Sequence, residues 1–270
     1  MRLIFSRKCR CDRHRQLFFS YLPGRFFFWP APISAMPDAA TGSVSPAAGV
    51  APTGFDGVAW CYDALAALVF GPALRRAQQA ALAGLPPGAP HVLVLGGGTG
   101  WVLGEVLRRC PRATVLYLEA SGRMLARAQA RLAREHPAAA GQVAFRHGTQ
   151  ATLAAAEKFD ALITFFVLDC LATDEVAPAL QRLRASQRPG APWLLADFRP
   201  AGRGWRRGLL ALMYGFFRLT TGLRARELPV LRRALGQLGL RPTCRRLFFG
   251  GAIEAAVFVE SSRPGTVQKK

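Results

Sequence analysis

The sequence predicts an α/β protein whose core is a doubly wound, seven-stranded sheet, mostly parallel, with an antiparallel strand supplied by a C-terminal hairpin. Three observations carry that reading. Short apolar runs, of the kind buried on both faces of a parallel sheet, alternate with helical patterns from residue 91 to residue 196. The first of these runs passes at once into Gly96-Gly97-Gly98-Thr99-Gly100, and that turn opens directly onto a helical pattern. The last two strand-like segments are joined by a short connection containing Gly250-Gly251, which suggests a hairpin.

Taken in order, residues 37–54 are rich in Pro, Ala, Gly, Ser and Thr and have little to bury, so they read as a linker, with order expected to begin near Phe55. Between Val58 and Leu85, apolar residues at helical spacing and a break at Gly71-Pro72 predict two helices. The run His91-Val92-Leu93-Val94-Leu95 predicts the first strand, and a helix is expected over 101–107. A strand over 114–118, a helix over 123–134, a strand over 143–146 and a short helix over 149–156 follow. Next come a buried strand over 161–165, a helix over 174–185 with Thr173 as its N-cap, and a fifth strand over 193–196. Helices near 205–219 and 227–237 precede two final strands, about 243–249 and 253–259. The expected boundaries are an N-terminal extension and linker over 1–54, one folded domain over 55–262 and a tail over 263–270.

Composition restricts the function classes. A chain of 270 residues, 51% hydrophobic, can bury one substantial core. Its formal net charge of +20 would favour polyanions without needing a specific site, but all but four of the 36 basic residues are Arg, spread along helical segments such as Arg123, Arg127, Arg131 and Arg134. A solvated basic surface is the expectation, with peripheral contact to an anionic membrane as an accessory role and no specific nucleic acid. Six cysteines lack a regular disulfide spacing and suggest a reducing compartment. Cys9, Cys11 and His14 lack the second half of a zinc site, and no metal is expected. No apolar run reaches the ~18 to 20 residues of a transmembrane helix; the longest candidate, Leu209 to Phe217, is flanked by Arg207 and Arg218. The basic, then apolar, first 35 residues are broken by Pro23, Arg25 and Pro30, and read as an extension, or as upstream of a true start at Met36, rather than as an export signal. A cytoplasmic, at most membrane-peripheral, location is expected.

The loop Leu95-Gly96-Gly97-Gly98-Thr99-Gly100 carries the chemistry. Between a buried strand and a helix, glycines let the backbone approach a ligand, and the helix N-terminus offers free N–H groups to an anionic group. The dinucleotide pattern G-x-G-x-x-G fails in both frames, because Trp101 or Val102 falls at the third glycine. The spacing present is G-x-G-x-G, at 96, 98 and 100.

On these residues the chain resembles the class I S-adenosylmethionine-dependent methyltransferases, over about residues 55–260, which implies a Rossmann-like fold, S-adenosylmethionine as cofactor and a methyltransferase domain over 55–262. Tyr117-Leu118-Glu119-Ala120-Ser121 followed by Met124 is similar to the family's second-strand segment. The resemblance implies that Glu119 accepts the ribose hydroxyls and that Leu95, Gly96, Gly97, Gly98, Thr99, Gly100, Ala120, Met124, Thr149 and Gln150 surround the cofactor. Two positions depart from the family pattern: Val94 stands where an acid often precedes the loop, and His147-Gly148-Thr149-Gln150 offers no carboxylate after the third strand.

Ligands of open α/β sheets bind beyond the carboxyl ends of the strands, so the methyl acceptor is expected near the ends of the fourth and fifth. Asp169 follows a fourth-strand segment that resembles the family's; it positions the acceptor or takes its proton, or else bonds loop amides. Phe166 and Asp197 are further acceptor candidates, Asp197 with the same structural alternative, and Asp160 orients a strand entrance. The segment Phe55 to Asp63 resembles the N-terminal helix of quinone-type and other small-molecule methyltransferases, which makes Trp60 and Tyr62 acceptor-lining candidates. Tyr214, with Met213, Phe216 and Phe217, is core, acceptor wall or membrane-facing patch. A small-molecule or lipid-like, quinone-like acceptor fits these apolar candidates. The alternatives are a non-catalytic module of the same fold that binds anionic membrane or nucleic acid, and a polyamine aminopropyltransferase, whose aspartate-rich fourth-strand motif is here replaced by Thr164-Phe165-Phe166.

Overall fold

The computed structural model describes residues 70–199 and 231–261. Seven strands form one sheet in the order β3-β2-β1-β4-β5-β7-β6. They are β1 (His91–Leu95), β2 (Thr114–Glu119), β3 (Val143–His147), β4 (Ala161–Phe165), β5 (Trp193–Phe198), β6 (Leu240–Phe248) and β7 (Ile253–Glu260). The described helices are α1 (Ala73–Leu82), α2 (Trp101–Arg109), α3 (Gly122–Glu135), α4 (Thr173–Ser186) and α5 (Leu231–Gln237).

Strands β1 to β5 pair in parallel, with Leu93 opposite Leu116 on one side and Leu162 on the other. β7 runs antiparallel between β5 and β6, so the C-terminal hairpin supplies the single reversed strand beside the edge. The apolar runs of β1, β4 and β5 are buried along almost their whole length because helices cover both faces. One face packs Ala77, Leu82, Val102, Val106, Leu125 and Ala128 from α1, α2 and α3. The other packs Val176, Leu180, Leu231 and Leu235 from α4 and α5. Edge strand β6 carries Arg241, Arg245 and Arg246, and its register shifts between Pro242 and Cys244. A charged, proline-bearing, irregular edge resists the addition of another strand.

The chain leaves β1 for β2 and β3 on one side and then returns to place β4 on the other, so the strand order reverses between β1 and β4. This is the crevice in which open α/β sheets bind ligands.

Several elements differ from the sequence expectation. The short helix at 149–156 is only a 3-10 turn, Gln150–Thr152, because Thr149 and Thr152 bond the turn's own backbone instead of continuing it. Thr173 is the first residue of α4 rather than its cap; Ala172 occupies that position, and its N–H donates to the Glu175 carboxylate at 3.2 Å. Strand β5 extends to Phe198 through pairing with β7, which puts Asp197 inside the strand instead of after it. Asp160 accepts the His91 N–H at 2.8 Å and an Arg188 contact at 3.0 Å at the entrance to β1 and β4. The expectations for residues 1–69, among them Cys9, Cys11, His14, Trp60 and Tyr62, lie outside the described residues. So do the helix near 205–219 with Tyr214 and the tail at 263–270. Among the described residues no helix is long and apolar enough to cross a membrane, and no group of three His, Cys, Asp or Glu could hold a metal ion.

Candidate functional site: a glycine cradle at the strand-order switch

The loop from Gly96 to Gly100 leaves β1 at the crevice. Gly96, Gly98 and Gly100 all adopt positive φ, at 64°, 62° and 91°, a region that disfavours side chains. Space is as restrictive as backbone. A Cβ on Gly96 would lie 2.5 Å from Val167 Cγ2, and one on Gly100 would lie 2.9 Å from the Ala128 Cα. Val167 follows β4 and Ala128 belongs to α3, so the loop is clasped by the opposite lip of the crevice and by the helix after β2.

Glu119 ends β2 and faces this loop. The residue is buried, with 7% relative exposure. Oε2 accepts the Gly98 N–H at 2.9 Å and Oε1 accepts the Ser121 N–H at 3.0 Å. Burial pushes its pKa above the usual carboxylate value, while the amides of Ser121, Gly98 and Ala120 and the nearby His147 oppose that rise. Each oxygen retains acceptor capacity for a ligand hydroxyl.

Around this pair the other expected cofactor residues assemble unevenly. Leu95 is buried at the end of β1, and Met124 is buried one turn into α3, with Sδ 3.9 Å from where a Gly98 Cβ would be. Ser121 caps α3 by accepting the Met124 N–H at 3.2 Å. Ala120 is exposed, and its carbonyl accepts a bond from His147 Nε2 at 2.8 Å. Thr149 and Gln150 sit half-buried on the turn after β3, which the Gly148 N–H ties to the Glu119 carbonyl at 2.9 Å. Thr99 presents its carbonyl to Arg131 of α3 at 3.3 Å.

Beyond β4, Phe166 holds φ at 54°, a left-handed conformation costly for a bulky side chain. Its ring packs 5.1 Å from Phe198, which in turn lies 5.0 Å from Phe70. Asp169 follows in a 3-10 turn, Leu168–Cys170, and is 4% exposed; Asp197 at the end of β5 is 2% exposed. Asp197 Oδ1 accepts the Phe198 N–H at 2.8 Å, and the Asp169 carboxyl lies against the same buried side chain. Burial, then the adjacent Asp169 carboxyl, push Asp197 well above the usual range. A neighbouring carboxyl disfavours ionisation of Asp197 and so adds to the effect of burial. The Cys170 thiol, 3.6 Å from Asp169 Oδ1, is pushed up for the same reasons.

Tyr117, Arg131 and Val167 were not among the sequence candidates. Tyr117 alone left a trace, as the one hydroxyl-bearing residue in the aliphatic run Val115 to Leu118.

Residues 92–190 match the family model of a methyltransferase domain. Among solved structures, the chain is similar to the mitomycin 7-O-methyltransferase MmcR, at 19% identity and a TM-score of 0.54, over 71% of this chain and 55% of that one. It is similar to TnmH at 26% identity and a TM-score of 0.53, over 77% of this chain and 61% of that one. It is also similar to the N-methyltransferase NodS from Bradyrhizobium japonicum WM9, in complex with S-adenosyl-L-homocysteine, at 14% identity and a TM-score of 0.52, over 70% of this chain and 86% of that one. No curated protein matches it. Sheet order, glycine cradle and domain match together define a class I methyltransferase fold. That fold is shared with S-adenosylmethionine-dependent methyltransferases, and NodS was solved with S-adenosyl-L-homocysteine bound. The chain spans 55% of the length of the first of these structures.

Proposed function

We propose that this chain transfers the methyl group of S-adenosylmethionine to a small, apolar acceptor, with the Gly96–Gly100 loop and Glu119 holding the cofactor. The observation that carries the reading is the buried Glu119 carboxylate bonded to the Gly98 N–H at the strand-order switch. The residues suit that cofactor: glycines leave room where a Cβ would collide, and Glu119 keeps lone pairs for a ribose diol. In this reading Leu95, Ala120 and Met124 offer apolar surface beside it, and Thr149 and Gln150 border its base.

The cofactor supplies an electrophilic methyl on a sulfonium. The chain's own residues have to align an acceptor with it and exclude water, which can lower a barrier by several kcal/mol without a strong base. In this reading Phe166 and Phe198 contribute apolar surface at the acceptor end, and the Asp169 and Asp197 pair orients an acceptor hydroxyl or amine and receives its proton. Trp60, Tyr62 and Tyr214 remain acceptor candidates from the segments outside the described residues. The small-molecule class is supported by the likeness to a methyltransferase of mitomycin and to CalO1, a methyltransferase in calicheamicin biosynthesis. The methyltransferase-domain match weighs against both aminopropyl transfer and a non-catalytic module.

The test is transfer of labelled methyl from S-adenosylmethionine to a panel of phenols, quinols and long-chain hydroxyl compounds, with Asp169→Asn alongside. Label in an organic-soluble product, reduced at least tenfold in the variant at unchanged cofactor affinity, supports the reading. Cofactor binding with no transfer to any member of the panel turns the acceptor assignment away from these classes.

A further inference from the structure

The G-x-G-x-G spacing explains three glycines of the loop and leaves the fourth, Gly97, unexplained. The structure supplies the reason. Tyr117 of β2 is fully buried, at 0% exposure, on the sheet face covered by α2 and α3, with its ring 5.4 Å from that of Phe145. A Cβ on Gly97 would fall on that ring, 2.5 Å from Cε2. The Tyr117 hydroxyl donates to the Gly98 carbonyl at 2.9 Å. One residue therefore fills the space beneath Gly97 and holds the Gly98 carbonyl.

That hold bears on the cofactor site through a short chain of bonds. Gly98 is gripped at both ends: its carbonyl by Tyr117 and its N–H by Glu119 at 2.9 Å. Tyr117 and Glu119 are two apart on one strand, so they point to the same face, and the loop peptide spans the distance between them. At φ 62° Gly98 has no side chain to hold this conformation, so these two bonds hold it instead.

We infer that Tyr117 is a positioning residue of the cofactor site: its ring dictates glycine at 97, and its hydroxyl sets the Gly98 peptide so that Glu119 is presented to the ribose. The inference rests on the proposed cofactor-holding role of the loop and Glu119. It extends that role to a side chain beneath the loop, acting through Gly97 and Gly98.

The experiment is calorimetric titration of S-adenosyl-L-homocysteine into the full chain and into Tyr117→Phe, Gly97→Ala and the double variant Gly97→Ala with Tyr117→Val. Thermal melts and amide hydrogen exchange over the loop are measured in parallel. Tyr117→Phe keeps the ring and loses only the hydroxyl. It is expected to bind about tenfold more weakly, the size of one lost hydrogen bond, with faster exchange at the loop and a melting temperature close to that of the parent. Gly97→Ala is expected to lose more, and the double variant to regain at least tenfold over Gly97→Ala because the ring no longer occupies the space. Unchanged affinity and exchange in Tyr117→Phe, or a double variant no better than Gly97→Ala, would overturn the inference. Failure of the parent chain itself to bind would instead strike the cofactor reading on which it rests.

Discussion

Val167 occupies the space that a side chain on Gly96 would need, with Cγ2 2.5 Å from an ideal Cβ there. The contact joins the loop after β1 to the turn after β4, the two lips of the crevice. Gly96→Ala would meet both this collision and a φ of 64°. The left-handed conformation costs about 1–2 kcal/mol and overpacking about 1–3 kcal/mol, so a loss of about 2–5 kcal/mol in urea denaturation is expected. Adding Val167→Ala should recover the packing part and leave the backbone part. A double variant as unstable as Gly96→Ala would show that Val167 is not the obstacle.

A second prediction concerns pH. Burial and Asp169 hold the proton of Asp197 to a higher pH in the folded chain than the ~3.9 of an unfolded aspartate. The folded state then binds more protons than the unfolded one, so this group's contribution to stability is present below about pH 4 and is lost as pH rises through the folded titration. Asn carries no such proton. The melting temperature of Asp197→Asn, relative to the parent, should therefore climb from pH 4 to pH 8, by about 2–4 °C for each kcal/mol of linkage. A difference that stays flat across that range would contradict the paired-carboxyl account.

The sheet core offers a third test. The Trp193 indole N–H donates to Thr164 Oγ1 at 2.8 Å, with both residues fully buried between β4 and β5. Thr164→Val preserves shape but strands the indole N–H, at a cost of about 1–3 kcal/mol. A loss below about 0.5 kcal/mol in chemical denaturation would mean that the indole finds another acceptor.

How far these features were legible in the sequence depends on whether a residue acts locally or across strands. The continuous apolar runs of β1, β4 and β5 announce burial on both faces, and the glycine pair after β6 announces a hairpin, so the sheet and its reversed strand could be read directly. The G-x-G-x-G spacing and the acid 19 residues beyond its last glycine are likewise local signals, Gly100 and Glu119 being fixed in number along the chain. Tyr117 beneath Gly97, Val167 against Gly96 and the pairing of Asp169 with Asp197 are contacts between segments distant in sequence. No periodicity encodes them. The reach of β5 to Asp197 was missed for a related reason: β7, not the composition of β5, extends it.

The central claim is that Glu119 and the loop hold S-adenosylmethionine, and calorimetric titration of S-adenosyl-L-homocysteine into the full chain and into Glu119→Ala tests it most directly. Charge-assisted hydrogen bonds contribute about 1.5–3 kcal/mol, and in the variant the Gly98 N–H also loses its partner. Micromolar-range binding by the parent, weakened about tenfold to a hundredfold in a Glu119→Ala protein that still melts cooperatively, is the predicted result. A folded parent that does not bind, or a variant that binds as tightly as the parent, would contradict it.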